Sequence, residues 1–200
     1  MRDPELRALI AGRDVFLMMS RLLGKEIDRP LYRTLLAADA QATASETLLI
    51  GAETRSLGEE EALQTLSAEY CRLFVGPRPV CLPYESVYRG EAVIGGRAEH
   101  RIKMFMEHHR VEAVIPTAYP LLAYDHLAIG LAVLHHLLDV CAEPFAGTSA
   151  RGRARDAVRR LMDDHLLAWA PSFLNDLHVT ARFEPYAGVA GFTARLMLEQ

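Results

Sequence analysis

The chain has 200 residues, 50% of them apolar and 24% charged, with 13 glycines and 10 prolines. That composition excludes disorder, collagen-like repeats and low complexity, and a mass of 22.3 kDa fits one domain with a full-sized hydrophobic core. A formal charge of −4 and a pI near 6.1 argue against non-specific nucleic-acid binding, which needs a basic footprint. The three cysteines, Cys71, Cys81 and Cys141, are odd in number and form no CxxC pair. They indicate neither a disulfide framework nor a zinc knuckle and fit a reducing compartment. Arg13 and Asp14 interrupt the apolar stretch near the start, so no signal-peptide core is expected and the chain is placed in the cytoplasm. The most apolar region, 111–140, is broken by Glu112, Pro116, Pro120, Asp125 and His126, which leaves no membrane-spanning run.

Asp3 and Pro4 open the first predicted helix, whose apolar residues from Leu6 to Leu23 recur at helical spacing until Gly24. Asp28 and Pro30 open a second helix through Leu36, and a third apolar stretch runs from about Ala42 to Ala52. A long fourth helix after Gly58 places Leu63, Leu66, Tyr70, Leu73 and Phe74 on one face and stops at Gly76-Pro77. Between residues 76 and 96 the pattern breaks. Pro77, Pro79 and Pro83 precede Tyr84 to Tyr88, and Gly90, Gly95 and Gly96 follow. Val80, Leu82, Tyr84, Val87 and Tyr88 make this an ordered hinge that packs on something rather than a solvated linker. Helical patterning resumes at about 97–110, 125–140, 148–166, 171–180 and 185–199. The expectation is an all-α, single domain over residues 1–200 with about nine or ten helices. Its N-terminal half is 1–75, its hinge 76–96 and its C-terminal half 97–200.

Catalytic signatures are scarce. His108-His109 and His135-His136 are adjacent pairs that point about 100° apart on a helix and do not chelate one ion, and there is no HExxH. Asp163, Asp164 and His165, with His126, leave open an all-α metal-dependent hydrolase or nucleotide-binding protein. The glycines at 90, 95 and 96 lack the lysine and preceding strand of a phosphate loop. Five arginines between Arg151 and Arg160 read as a solvated helix face, since 20 of the 22 basic residues are arginine. No metal, cofactor or catalytic residue is assigned.

Polar groups set among aromatics are the unusual feature. Glu69-Tyr70-x-Arg72-Leu73-Phe74-Val75-Gly76-Pro77 is followed by Pro83-Tyr84-Glu85-Ser86-Val87-Tyr88. These strings resemble the signature of the TorD/DmsD (NarJ-like) family of cytoplasmic chaperones for molybdenum-containing redox enzymes. Asp125-His126-Leu127 is similar to that family's Asp-His pair. His165-Leu166-x-x-Trp169-x-Pro171-x-Phe173 and the closing segment from Phe183 to Leu196 continue the likeness, which covers about residues 69–196. This chain departs from the family in having Tyr124 where a proline is usual and Gly130 where a glutamate is usual.

The resemblance implies a non-enzymatic, all-helical protein that binds the twin-arginine signal peptide and apo form of a molybdoenzyme catalytic subunit, holding it for cofactor insertion before export. A relative of the nitrate-reductase assembly chaperones, which recognise an apoenzyme with only a remnant leader, is a variant of the same reading. A receptor for guanidinium groups joined to an apolar helix needs carboxylates beside an apolar groove. The peptide-binding candidates are therefore Glu69, Tyr70, Arg72, Tyr84, Glu85, Ser86, Tyr88, Asp125, His126 and Leu127. Each has a plainer reading beside this one. Glu69 and Arg72 are spaced to pair with each other, Asp125 stands where a helix N-cap belongs, and Tyr84 and Tyr88 can staple the loop to the core. The proline-rich hinge is compatible with a monomer or a domain-swapped dimer.

Overall fold

In the computed structural model, residues 3–41, 49–112, 121, 123–144 and 147–198 are described. The predicted helix over 42–52 falls partly outside them. The described residues form eleven α-helices: α1 Asp3–Ala11, α2 Arg13–Gly24, α3 Arg29–Asp39, α4 Ala52–Arg55, α5 Glu59–Tyr70, α6 Glu85–Tyr88, α7 Gly96–His109, α8 Leu127–Ala142, α9 Thr148–Arg160, α10 Ala170–Thr180 and α11 Tyr186–Leu198. Their only extended pairing is a single antiparallel bridge between Tyr84 and His126, so the all-α expectation holds. The first predicted helix is divided at Gly12 into α1 and α2, and α4 and α6 are single turns that hydrophobic periodicity does not resolve.

Local sequence accounts for several boundaries. Asp28 caps α3, its Oδ1 accepting the Leu31 amide at 3.1 Å with Pro30 in the first turn. Glu59, Glu60 and Glu61 in the first turn of α5 favour its positive dipole end. Two helices loosen into π-turns at their C-terminal ends, Cys71–Val75 after α5 and Leu161–Leu166 after α9. The first closes when the Gly76 amide donates to the Cys71 carbonyl at 2.6 Å. A Cβ at Gly76 would stand 2.9 Å from that same oxygen, so the closure requires glycine.

The centre of the molecule is α8. Its sequence is apolar nearly all round, the pattern of a helix buried on several sides. It packs on α2 and α9, while α11 lies across α2 and α10. Phe16, Met19, Leu22 and Leu23 of α2 and Leu127, Leu131, Leu134 and Leu138 of α8 belong to one buried cluster with Val158 and Leu161. Each such leucine contributes about 1.5–3 kcal/mol by leaving water. Ser20 Oγ donates to the Ala128 carbonyl at 2.7 Å, which fixes the register of α2 on the first turn of α8.

The hinge folds back on the helix it leaves. The amides of Val80 and Cys81 donate to the carbonyls of Arg72 (3.3 Å) and Leu73 (2.9 Å). Cys81 and Tyr84 are buried, whereas Val80 and Val87 are exposed. Packing of this segment on the helical body is what its apolar content predicts.

Candidate functional site

Two sequence strings separated by about forty residues meet at the hinge. The Leu127 amide donates to the Pro83 carbonyl at 2.8 Å and the Glu85 amide to the Asp125 carbonyl at 3.1 Å. These bonds bracket the Tyr84–His126 bridge, and the two rings pack edge-on at 4.8 Å between centroids. The Pro-Tyr-Glu and Asp-His-Leu strings are thus one structural unit.

The capping roles differ from the sequence expectation. The N-cap of α8 is His126, whose Nδ1 accepts the Ala128 amide at 3.0 Å. Asp125 instead serves the other segment: its Oδ2 accepts the amide of Ser86 in α6 at 2.9 Å. The reason is geometric, because the bridge directs the Asp125 side chain across to the hinge. Burial without a compensating charge pushes the His126 pKa down to about 3. His126 is therefore a neutral imidazole, with its proton on Nε2 because Nδ1 accepts.

Glu85 and Ser86 lie inside. Glu85 is 2% exposed, and its Oε1 accepts from Arg89 Nε (2.5 Å) and an Arg101 guanidinium nitrogen (3.0 Å). Ser86 Oγ accepts the Gly95 amide at 3.1 Å, which ties α6 to the start of α7. Tyr88, half-buried, donates its hydroxyl to Asp176 at 2.9 Å and packs against Trp169 and Phe173. Trp169 in turn donates its indole N–H to the His165 carbonyl at 2.6 Å. The His165–Phe173 string is the bed on which the hinge rests.

Glu69, Tyr70 and Arg72 occupy a neighbouring cluster. Glu69, 3% exposed, holds Arg72 through two bonds of 2.7 Å and accepts the Arg182 amide at 2.7 Å. Arg72 also donates to the Thr180 carbonyl at 2.9 Å. The pair spans the end of α5 and the α10–α11 connection. Although burial opposes ionisation, the bonds from Arg72 and the Arg182 amide hold the Glu69 carboxyl below its ordinary range. Tyr70 donates to the Leu23 carbonyl at 3.2 Å and packs edge-on against Phe74.

The hydrolase alternative gathers no centre. Asp163 and Asp164 are exposed while His165 is buried, and among the described residues no group of three or more His, Cys, Asp or Glu could hold a metal ion. Sequence reasoning missed Arg89 and Arg101 as partners of Glu85. The Glu85–Arg89 spacing of four was a usable signal, whereas Arg101 is brought in only by the fold.

Residues 34–175 match the family model described as nitrate reductase delta subunit. The chain belongs to that family. Within it, the chain is similar to the Chaperone protein TorD of Vibrio cholerae serotype O1, at 30% identity over 182 residues, covering 84% of this chain and 81% of the relative. Proteins of the same name from Shewanella piezotolerans and Shewanella pealeana are 28% and 29% identical, over 64% and 62% of this chain and 66% and 63% of their own lengths. The delta-subunit family segment contains the hinge, the Asp125–Leu127 string and Trp169. Its relatives carry the name of a chaperone, a non-enzymatic class, in accord with the expectation that the chain is not an enzyme. No described helix is long and apolar enough to cross a membrane.

Proposed function

We propose that the chain is a maturation chaperone for a molybdenum-containing oxidoreductase. It binds the twin-arginine signal peptide and apo form of that enzyme in the cytoplasm and holds it for cofactor insertion before export. The observation that carries this reading is the hydrogen-bonded union of the Pro83–Tyr88 and Asp125–Leu127 strings at the hinge, beside the half-buried Tyr88. Glu69 and Glu85 are buried and already paired with Arg72 and with Arg89 and Arg101, so they build the site from within. The chaperone names of the relatives support the same class.

In this reading the partly exposed Arg72 and Tyr88 contribute to the rim, and the buried Glu69, Glu85, Ser86, Asp125 and His126 hold its shape. The protein acts as one helical unit, with residues 76–96 as the hinge through which a domain-swapped dimer would form. The family description, nitrate reductase delta subunit, is compatible with a second reading in which the apoenzyme body is recognised beside the leader.

Titration calorimetry with a synthetic leader from a molybdoenzyme encoded nearby tests the proposal. Binding that weakens with salt and is lost when both arginines become lysine is expected. Absence of binding to any such leader, with capture of the leaderless apoenzyme, would move the proposal to the second reading. Absence of both would end it.

A further inference from the structure

Between α6, α8 and the Leu161–Leu166 π-turn lies a cavity of about 10 Å³, bordered by Glu85, Asp125, His126, Gly130, His165 and Trp169. That is room for about one water molecule. Two of these residues carry a buried polar atom that makes no hydrogen bond within the protein, Asp125 Oδ1 and His165 Nδ1. Their side chains are 3% and 7% exposed. An orphaned carboxylate oxygen and an orphaned imidazole nitrogen each cost about 1–3 kcal/mol if left unpaired. Two in one small cavity indicate a shared ligand.

We infer that the cavity is a binding site for a single ordered water, which donates to Asp125 Oδ1 and Glu85 Oε2 and accepts from His165 Nδ1–H. The donor and acceptor inventory closes. Asp125 Oδ2 is taken by the Ser86 amide and Glu85 Oε1 by two arginines, so each carboxylate presents its second oxygen. Glu85 Oε2 and His165 Nδ1 are 4.0 Å apart. That is too long for a direct hydrogen bond, whereas two groups each about 2.8 Å from one water oxygen stand about 4–4.6 Å apart. Three hydrogen bonds is the usual complement of a buried water.

Neutral His165 is consistent with this, because burial holds its pKa down against the opposing pull of Glu85 and Asp164. A guanidinium or a phosphate is too large for the space. A bare cation is not favoured either, since among the described residues no group of three or more His, Cys, Asp or Glu could hold a metal ion.

The water joins three segments that sequence keeps far apart: the hinge helix, the residue before α8 and the π-turn that leads into α10. His165 is then a positioning residue, not a group that touches a client. It also carries the opposite tautomer to His126, whose Nδ1 is an acceptor.

The test uses the full chain. Imidazole ¹⁵N spectra are expected to place the His165 proton on Nδ1 and the His126 proton on Nε2. Magnetisation transfer from a long-lived water to the Ser86 amide and His165 ring, and an oxygen peak within hydrogen-bond reach of all three atoms in a crystal structure, are expected too. His165→Phe removes the donor and fills the space. It is expected to abolish the water signal and to speed exchange of the Ser86 amide about tenfold, the scale of one lost hydrogen bond. A His165 proton on Nε2, a direct Asp125–His165 hydrogen bond, or a dry cavity in the wild-type protein would overturn the proposal. These wild-type readings decide it even if the variant does not fold.

Discussion

Asp125 closes a helix 39 residues upstream of it, its Oδ2 accepting the Ser86 amide at 2.9 Å while its backbone carbonyl accepts the Glu85 amide at 3.1 Å. The side chain therefore holds the hinge, and His126 next to it caps α8. Asp125→Ala removes a buried acceptor that serves a helix N-terminus, and a loss of about 1–3 kcal/mol in urea unfolding is expected. Asp125→Asn keeps an acceptor oxygen and is expected to cost less. If Asp125→Ala lowers stability but leaves leader-peptide affinity unchanged, Asp125 belongs to the scaffold and not to the binding rim.

The acid side of the stability profile follows from the histidines. His126 is held near pKa 3 in the folded protein, against about 6.5 unfolded. A depressed folded pKa means that the unfolded state takes up protons first. The contribution is complete above pH 6.5 and is lost as pH falls through 6.5 toward 3, by about 1.4 kcal/mol at pH 5.5. His126→Asn supplies a side-chain oxygen for the cap without a titrating ring. Its unfolding free energy is expected to fall less steeply between pH 7 and pH 5 than that of the wild type. The slope does not vanish, because His109 and His165 are also held down by burial. An unchanged slope in the variant would contradict the buried neutral state of His126.

What was legible in the sequence was local. The cap and proline that start α3, the apolar face of α5 and the glycine after its π-turn could be read from spacing, and so could the Glu69–Arg72 pair, three residues apart. The unresolved part was long-range. Asp125 has the residue type of a cap, but which helix it caps depends on the Tyr84–His126 bridge, which only the fold creates. Arg101 reaches Glu85 from α7 for the same reason. The π-turns leave no periodic signature, because one extra residue per turn shifts a hydrophobic face without erasing it. His165, set aside with Asp163 and Asp164 as a catalytic alternative, turns inward from that π-turn while the two aspartates stay in solvent.

Glu69 and Arg72 offer a double-mutant cycle. Glu69 is buried, Arg72 is a quarter exposed, and the pair also anchors the Arg182 amide and the Thr180 carbonyl. Removing the carboxylate strands a guanidinium and a backbone donor together, so Glu69→Ala is expected to cost about 3 kcal/mol. Arg72→Ala leaves a buried carboxylate that keeps one amide partner and is expected to cost somewhat less. The double variant should fall short of the sum by about 1–3 kcal/mol in chemical unfolding. Additive losses would mean that the two side chains act independently despite their bidentate contact.

Gly130 is the position where this chain departs from the glutamate its family resemblance implied, and packing gives the reason. A Cβ there would lie 2.9 Å from Leu166 Cδ2, and Leu166 is buried in the core beneath the cavity. Gly130→Ala gains about 1 kcal/mol of helix propensity in α8 but requires the Leu166 Cδ2 methyl to move, an overpacking cost of about 1–3 kcal/mol in so far as the adjoining cavity does not take it up. A net loss of up to about 2 kcal/mol is expected. Leu166→Ala should relieve it, so that Gly130→Ala becomes neutral or stabilising in that background. Gly130→Glu would bring a charge into the same buried contact and is expected to cost more than either small substitution. Thermal or urea unfolding of the four variants decides the matter. A Gly130→Ala protein as stable as the wild type, with no coupling to Leu166, would show that the close approach does not set this residue.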